Sequence, residues 1–214
     1  MERRGGLSPR ADLSDPKFNG PFSRDGRSDH MTELAGSTRL FPTKPPKVGR
    51  VVGIDPGLNV TGYAVVEPRG RGVLVIEAGV IRTTSAGDEM GARLALIHRE
   101  LMELFEMYPA EAVALEQVHS HVRHPRTAIL MSHARGVIVL AAAQRGLPVF
   151  GYAAARIKKT LTGSGKAPKE QMQHAIKTEL GLDQLPEPHD VADACAVAIC
   201  HVQIARNLLG LNGI

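Results

Sequence analysis

The sequence has 214 residues and a formal net charge of +4, from 26 Lys and Arg side chains against 22 Asp and Glu. This length predicts one well-packed domain with a tail and excludes two large lobes. The sequence has neither a run of about eighteen apolar residues nor an apolar segment after its N-terminal Arg pair, which argues against a membrane span or a secretory signal and favours a cytoplasmic protein.

The N-terminal segment, residues 1–48, differs in composition from the rest of the chain. It is rich in Gly, Pro, Ser, Arg and Asp and shows no sustained apolar period, and residues 1–49 carry nine Lys or Arg against six Asp or Glu. Such segments cannot bury enough apolar surface to fold. We therefore expect a disordered basic extension over 1–48 and a folded domain over 49–214.

The remaining sequence alternates strand-like and helix-like patterns. Short β-branched runs bounded by Gly and Pro predict strands, and apolar residues at helical spacing predict helices. Because the first three strands follow one another and helices separate the later ones, we expect an α/β fold with a five-stranded mixed sheet flanked by helices. The predicted strands cover 51–54, 60–66, 73–81, 112–115 and 148–150, and the predicted helices cover 89–107, 126–145, 168–180 and 189–208.

Two features of this pattern are open to more than one interpretation. Residues 117–178 hold ten Lys or Arg and one acid, Glu170; they form either a phosphate-binding surface or the ordinary solvated surface of two helices. The helix over 126–145 has an apolar face that is either a dimer interface or core, formed by Ile129, Leu130, Val137, Ile138 and Leu140. Cys195 and Cys200 are expected to be small buried residues without a disulfide.

Four carboxylates occupy positions that suggest a shared site. Asp55 follows the first strand, Glu116 follows the fourth, and Asp190 and Asp193 lie three positions apart at the start of the last helix, on one face. Taken singly, they are also explained as a turn residue, a strand-end acid and helix-capping acids. Taken together, they favour a site for two Mg²⁺ ions about 4 Å apart that promote phosphodiester hydrolysis.

Several short segments, in order and without large gaps over residues 50–202, resemble the RuvC family of bacterial Holliday-junction resolvases. They are Gly53-Ile54-Asp55-Pro56-Gly57 with Thr61-Gly62-Tyr63, Leu115-Glu116-Gln117-Val118, Ala134-Arg135-Gly136, Pro148–Ala154, His189–Ala194 and Ala198–His201.

The resemblance implies an RNase H-like fold, a homodimer that binds four-way junction DNA, and paired symmetric nicks in recombination and repair. It also implies two Mg²⁺ ions per active site, for which Mn²⁺ can substitute, and four catalytic acids that match Asp55, Glu116, Asp190 and Asp193. The resemblance also suggests a further partner, the RuvA and RuvB branch-migration complex.

The basic residues divide by their match to the family. Lys158 and Lys169 match lysines that contact DNA near the scissile bond; Lys169 is expected to offset transition-state charge and Lys158 to clamp the backbone. Lys159 and Lys166 are either further clamps or solvated side chains.

The segment after Glu116 departs from the family. His119 stands where the family usually has an aromatic residue that stacks on an unpaired base, and Arg123 follows it. We expect both to contact DNA, with imidazole stacking over less area than Phe. A zinc site at His119, His121, His124 and His133 is not expected, because no cysteines accompany them. His189 either assists at the metal site or simply begins the last helix.

Three alternatives to a junction resolvase remain. A related nuclease would act on other branched DNA or structured RNA, and a non-catalytic junction-binding protein would keep the basic surface without needing the acids. A nucleotide-binding protein of the actin or sugar-kinase type would need a second lobe that this length does not supply.

Overall fold

The computed structural model describes residue 42 and residues 46–83, 89–117 and 125–211. Nearly all of the expected N-terminal extension lies outside these residues. Its disorder and the domain boundary after residue 48 therefore stay predictions.

The described residues form a five-stranded sheet, as the sequence predicts. The strands lie in the order β3-β2-β1-β4-β5, so the first strand is central. β1 pairs antiparallel with β2, and β2 with β3, whereas β1, β4 and β5 run parallel to one another. The bounds are β1 Val51–Asp55, β2 Val60–Arg69, β3 Gly72–Arg82, β4 Ala112–Glu116 and β5 Val149–Tyr152.

Five helices accompany the sheet: α1 Met90–Met107, α2 Pro125–Gln144, α3 Ala154–Thr162, α4 Lys169–Leu180 and α5 His189–Leu208. Four of them match the sequence pattern within a residue at each end. The pattern did not predict α3, because nine residues make fewer than three turns and only Ile157 and Leu161 repeat at helical spacing. α3 ends where Gly163 adopts a left-handed conformation with φ of 79°, a common helix terminator.

The helices cover both faces of the sheet. α1 and α2 pack on one face through residues such as Ile97, Leu101 and Ile138. α5, with α3 and α4 beside it, packs on the other face and buries an almost continuous run, Val191–Val202 with Asp193 as the exception. Cys195 and Cys200 are free and buried within that run, which confirms their expected packing role.

The apolar face of α2 is divided between the core and the surface, and its role as a dimer interface stays a prediction. Ile138 is fully buried in the core, whereas Ile129 and Leu140 are 57% and 52% exposed. Among the described residues α2 is also the one helix long and apolar enough to cross a membrane, with a mean hydropathy of 1.3 over Arg126–Gln144. Core helices of soluble proteins meet the same criterion, so α2 is weak evidence for a span.

The N-terminal half of α5 lies in backbone contact with the sheet at two glycines. A Cβ atom on Gly53 of β1 would lie 2.3 Å from the Ala194 carbonyl oxygen, and one on Gly62 of β2 would lie 2.1 Å from the Asp190 carbonyl oxygen. No side chain fits at either distance. The two glycines therefore fix how closely the start of α5 approaches β1 and β2.

The C-terminal end of α5 is held by a buried arginine. The guanidinium of Arg206, which is 8% exposed, donates hydrogen bonds to the carbonyl oxygens of Gly70, Arg71 and Gly72 at 2.9, 2.5 and 2.9 Å. These carbonyls belong to the turn after β2 and to the first residue of β3. Hydrogen bonds from charged donors are among the stronger ones in proteins, so α5 is anchored at both ends.

Candidate active site

Asp55 and Glu116 lie at the same edge and on the same face of the sheet. They are the last residues of β1 and β4, which are adjacent parallel strands. Side chains alternate between faces along a strand, and Val51 and Ala114, two or four positions earlier, face α5. Asp55 and Glu116 therefore also point to the α5 side, as the sequence predicts for the strand ends.

Asp190 and Asp193 lie in the first turns of α5, directly above this edge. Gly62, which touches the Asp190 backbone, pairs with Asp55 in the β1–β2 register. The close approach of α5 to β2 therefore brings the Asp190 backbone next to the end of β1. Asp190 is half-buried, whereas Asp193 stays open to solvent.

The four carboxylates form one electrostatic group. Burial, followed by the negative charges of Asp193, Glu116 and Asp190 in that order, raises the pKa of Asp55 to about 7. Partial desolvation raises the pKa of Asp193 as well; Lys169 opposes this shift, Asp190 adds to it and His189 opposes it. Like charges held this close destabilise the ionised site unless a cation joins them.

The acids border two neighbouring hollows. One, of about 350 Å³, is lined by Glu116 and Asp193 together with Lys158, Lys169 and apolar residues of α3, α4 and α5. The other, of about 410 Å³, is lined by Asp55 and Asp190 together with the turn between β1 and β2 and the side chains of Thr127, Leu130 and Met131 from α2. Two of the acids thus line each space.

The oxygens of the four carboxylates suit a hard divalent cation, although the four side chains do not form a complete coordination site. Within the described ranges, no group of three or more His, Cys, Asp or Glu side chains lies close enough to hold a metal ion. The electrostatic coupling nevertheless concentrates carboxylate oxygens, the ligands that Mg²⁺ and Mn²⁺ prefer, around a half-buried Asp55. A cation there would replace repulsion between the acids with attraction.

The predicted basic residues separate into two groups. Lys169 begins α4, and Lys158 lies on α3; both line the hollow that contains Glu116. A lysine at a helix N-terminus is disfavoured by the helix dipole, so the position of Lys169 is better explained by the nearby acids. Lys159 and Lys166 are exposed and do not line this hollow.

Other predicted positions contribute less to the description of the site. His119 and Arg123 lie outside the described residues, so their DNA contacts stay predictions. His133 lies on α2, where its Nδ1 is 2.7 Å from the Ile129 carbonyl oxygen. His189 is exposed as the first residue of α5, in agreement with its helix-starting interpretation.

The sequence pattern did not single out one buried polar pair near the site. The Tyr152 hydroxyl at the end of β5 lies 3.0 Å from Nδ1 of His201 in α5. The available signal was a histidine within an otherwise apolar, Ala-rich helix, since such positions are usually filled by aliphatic residues.

Comparison with known proteins identifies the family. The family model described as crossover junction endodeoxyribonuclease RuvC matches residues 51–201. The chain is 48% identical over 170 residues to crossover junction endodeoxyribonuclease RuvC of Rhodopirellula baltica, covering 79% of this chain and 95% of that protein. It is 44% identical over 151 residues to the protein of the same name from Pelotomaculum thermopropionicum, covering 71% and 91%.

Solved structures give the same result. Thermus thermophilus RuvC in complex with a Holliday junction substrate matches with a TM-score of 0.70 and 32% identity, covering 76% of this chain and 97% of that one. The yeast mitochondrial Holliday junction resolvase, at 12% identity and a TM-score of 0.55, shares the fold. The expected RNase H-like fold is therefore confirmed, and the chain belongs to the RuvC family of crossover junction endodeoxyribonucleases.

Proposed function

We propose that this protein is a Mg²⁺-dependent, structure-selective endonuclease that resolves four-way DNA junctions by paired symmetric nicks. The observation that carries the proposal is the coupling of Asp55 to three further carboxylates at the edge of two hollows. The relatives are named as crossover junction endodeoxyribonucleases, and the RuvC structure from T. thermophilus is bound to a Holliday junction. Enzymes of this family are metal-dependent nucleases, which agrees with the carboxylate-rich site.

Asp55, Glu116, Asp190 and Asp193 would hold two Mg²⁺ ions, with Mn²⁺ able to substitute. When bound, the ions supply an activated water and stabilise the leaving oxygen of the phosphodiester. Asp55 is half-buried and couples electrostatically to the other three acids. The more exposed Asp193 lies where the site opens to solvent.

The basic side chains act on the DNA backbone. Lys169, close enough to Asp193 to affect its pKa, places positive charge beside the scissile phosphate and offsets the charge that develops there. Lys158 holds the backbone at the wall of the same hollow. Lys159 and Lys166, both exposed nearby in the chain, extend this contact to neighbouring phosphates.

The second copy that a two-fold symmetric junction requires would pack against α2. Ile129, Gly136 and Leu140 are exposed and lie at positions i, i+7 and i+11, which share one side of a helix. Nothing lies within 4 Å of where a Cβ of Gly136 would be, so a second backbone can approach there. An exposed apolar stripe of this kind suits a self-complementary dimer contact.

A cleavage assay tests the proposed activity. We expect the wild-type protein with Mg²⁺ to place paired nicks in a synthetic mobile four-way junction, and Glu116→Gln to lower the rate by about 1,000-fold while still binding the junction, because a metal ligand is lost. The matched control is Glu111→Gln, since Glu111 pairs with Lys47 at the other end of β4 and lies away from the site. Preferred cleavage of flaps or RNA hybrids, or full activity in Glu116→Gln, would contradict the proposal.

The raised pKa of Asp55 predicts a pH dependence of metal binding. Mg²⁺ must displace the proton that Asp55 holds below about pH 7, so the half-saturating Mg²⁺ concentration should fall about tenfold per pH unit up to pH 7 and then level off. Cleavage measured across Mg²⁺ titrations at pH 5.5 to 8.5 gives this profile. Asp183→Asn, at an exposed acid outside the site, should leave it unchanged.

The same shift predicts an effect on the metal-free protein. A folded-state pKa of about 7, above the ordinary value of 3.8, means that the stability linked to Asp55 is fully present below about pH 4 and is lost as the pH rises through 7. Asp55→Asn should therefore melt at a higher temperature than the wild type at pH 8, with the difference vanishing near pH 4. A difference that is the same at both pH values would contradict the assigned pKa.

A mass measurement tests the dimer contact. Leu140→Asp places two charges in a symmetric interface and should weaken self-association by about 100-fold or more. Light scattering coupled to size-exclusion chromatography should give a dimer for the wild type and for the control Met107→Asp, an exposed apolar residue at the end of α1, and a monomer for Leu140→Asp. If the wild type is a monomer, or if the Leu140→Asp variant is still a dimer, α2 is not the dimer interface.

A further inference from the structure

A buried hydrogen bond connects the edge of the sheet to α5. The Tyr152 hydroxyl and His201 Nδ1 are 3.0 Å apart, and the two residues are 9% and 1% exposed. The ring of Phe150 packs edge-on against His201 at 4.9 Å between ring centres. The pair is therefore held in a fixed geometry by its surroundings.

The pair joins α5, which carries Asp193, to β5, which lies beside the strand that carries Glu116. Tyr152 pairs with Glu116 in the β4–β5 register, and the next residue, Gln117, donates its backbone N–H to the Tyr152 carbonyl at 2.9 Å. His201 follows Asp193 by eight positions in α5, on the same side of the helix as Val197, which lines the hollow with both acids. The hydrogen bond thus joins α5, about two helical turns beyond Asp193, to the strand that pairs with Glu116.

Packing alone does not account for this polar pair. Within the part of the chain that the structure describes, His201 Nε2 is buried without a hydrogen-bond partner, and an unpaired buried polar atom costs free energy. Burial also lowers the pKa of His201 to about 4, so the ring is neutral at physiological pH and contributes no charge. Two apolar side chains would fill the space without this cost, but they would supply no directional bond.

We propose that Tyr152 and His201 are positioning residues: their hydrogen bond sets the separation between β5 and α5 and, through the pairing of Tyr152 with Glu116, the spacing of Glu116 and Asp193 for metal binding. The inference rests on the proposed metal site and adds two residues that touch neither metal nor DNA. A hydrogen bond can set this separation because it weakens with small changes in distance or angle, whereas two apolar surfaces in contact can slide past each other more freely. Metal affinity, which depends on ligand spacing, is the property that such a pair controls.

The test uses a double substitution chosen to keep the fold. Tyr152→Phe alone leaves both ring nitrogens of His201 unpaired and is expected to destabilise the protein. Tyr152→Phe with His201→Leu removes both polar partners and should leave the melting temperature close to that of the wild type, since replacing both partners with apolar groups is nearly neutral. Arg206→Met is the control for general loosening of α5, because it releases the other end of the helix.

The decisive readout is Mn²⁺ binding to the full-length protein without DNA, measured by electron paramagnetic resonance, beside the melting temperature. We expect the double variant to bind Mn²⁺ about 10-fold more weakly than the wild type, and Arg206→Met to melt at a lower temperature with unchanged Mn²⁺ affinity. Wild-type affinity in the double variant overturns the inference, as does a wild-type protein that binds no Mn²⁺. A wild-type protein that binds Mn²⁺ but cleaves no junction refutes the proposed function instead, while the comparison between variants still decides the inference.

Discussion

The arrangement of the candidate active site depends on the backbone contact between α5 and the strands β1 and β2. Gly53 and Gly62 leave no space for a side chain beneath the helix, so the first turns of α5 lie against β1 and β2 at a distance that any larger residue would increase. This contact carries Asp190 and Asp193 to the sheet edge where Asp55 and Glu116 end their strands. The packing of α5 on the sheet thereby determines where its two carboxylates lie relative to Asp55 and Glu116.

The same contact has an energetic cost. Four carboxylates share a partly buried edge, and the pKa of Asp55, raised to about 7, records how strongly burial and the other acids disfavour its ionised form. The remainder of the fold offsets this cost through two well-packed cores and through the three hydrogen bonds from Arg206 at the far end of α5. Divalent cations bound at the proposed site would remove the repulsion, so the ionised, metal-free site would be its least stable state.

The sequence predicted the parts of this arrangement that depend on local pattern. Asp55 and Glu116 were located because each follows a short apolar strand, and Asp190 and Asp193 because their spacing of three places both on one side of a helix. Helix α3 was missed because its apolar period is too short to detect, although the cationic character of Lys158 was recognised. The role of Gly53 and Gly62 as the contact surface for α5 was also missed, since local pattern does not reveal which helix lies above a strand.

Long-range pairing was equally beyond the sequence pattern. Tyr152 and His201 are separated by 49 positions in the sequence. They meet only because α5 packs on the sheet that contains β5. The division of α2 into a buried side with Ile138 and an exposed side with Leu140 depends on its angle to α1 and the sheet, which spacing alone does not determine.

The most direct test of the account is a crystal structure of the protein grown with Mn²⁺ and recorded at the manganese absorption edge. The account predicts anomalous density between Asp55, Glu116 and the Asp190 and Asp193 side chains, at distances of about 2.2 Å from their oxygens. Manganese bound elsewhere, with these four carboxylates left without an ion between them, would contradict it.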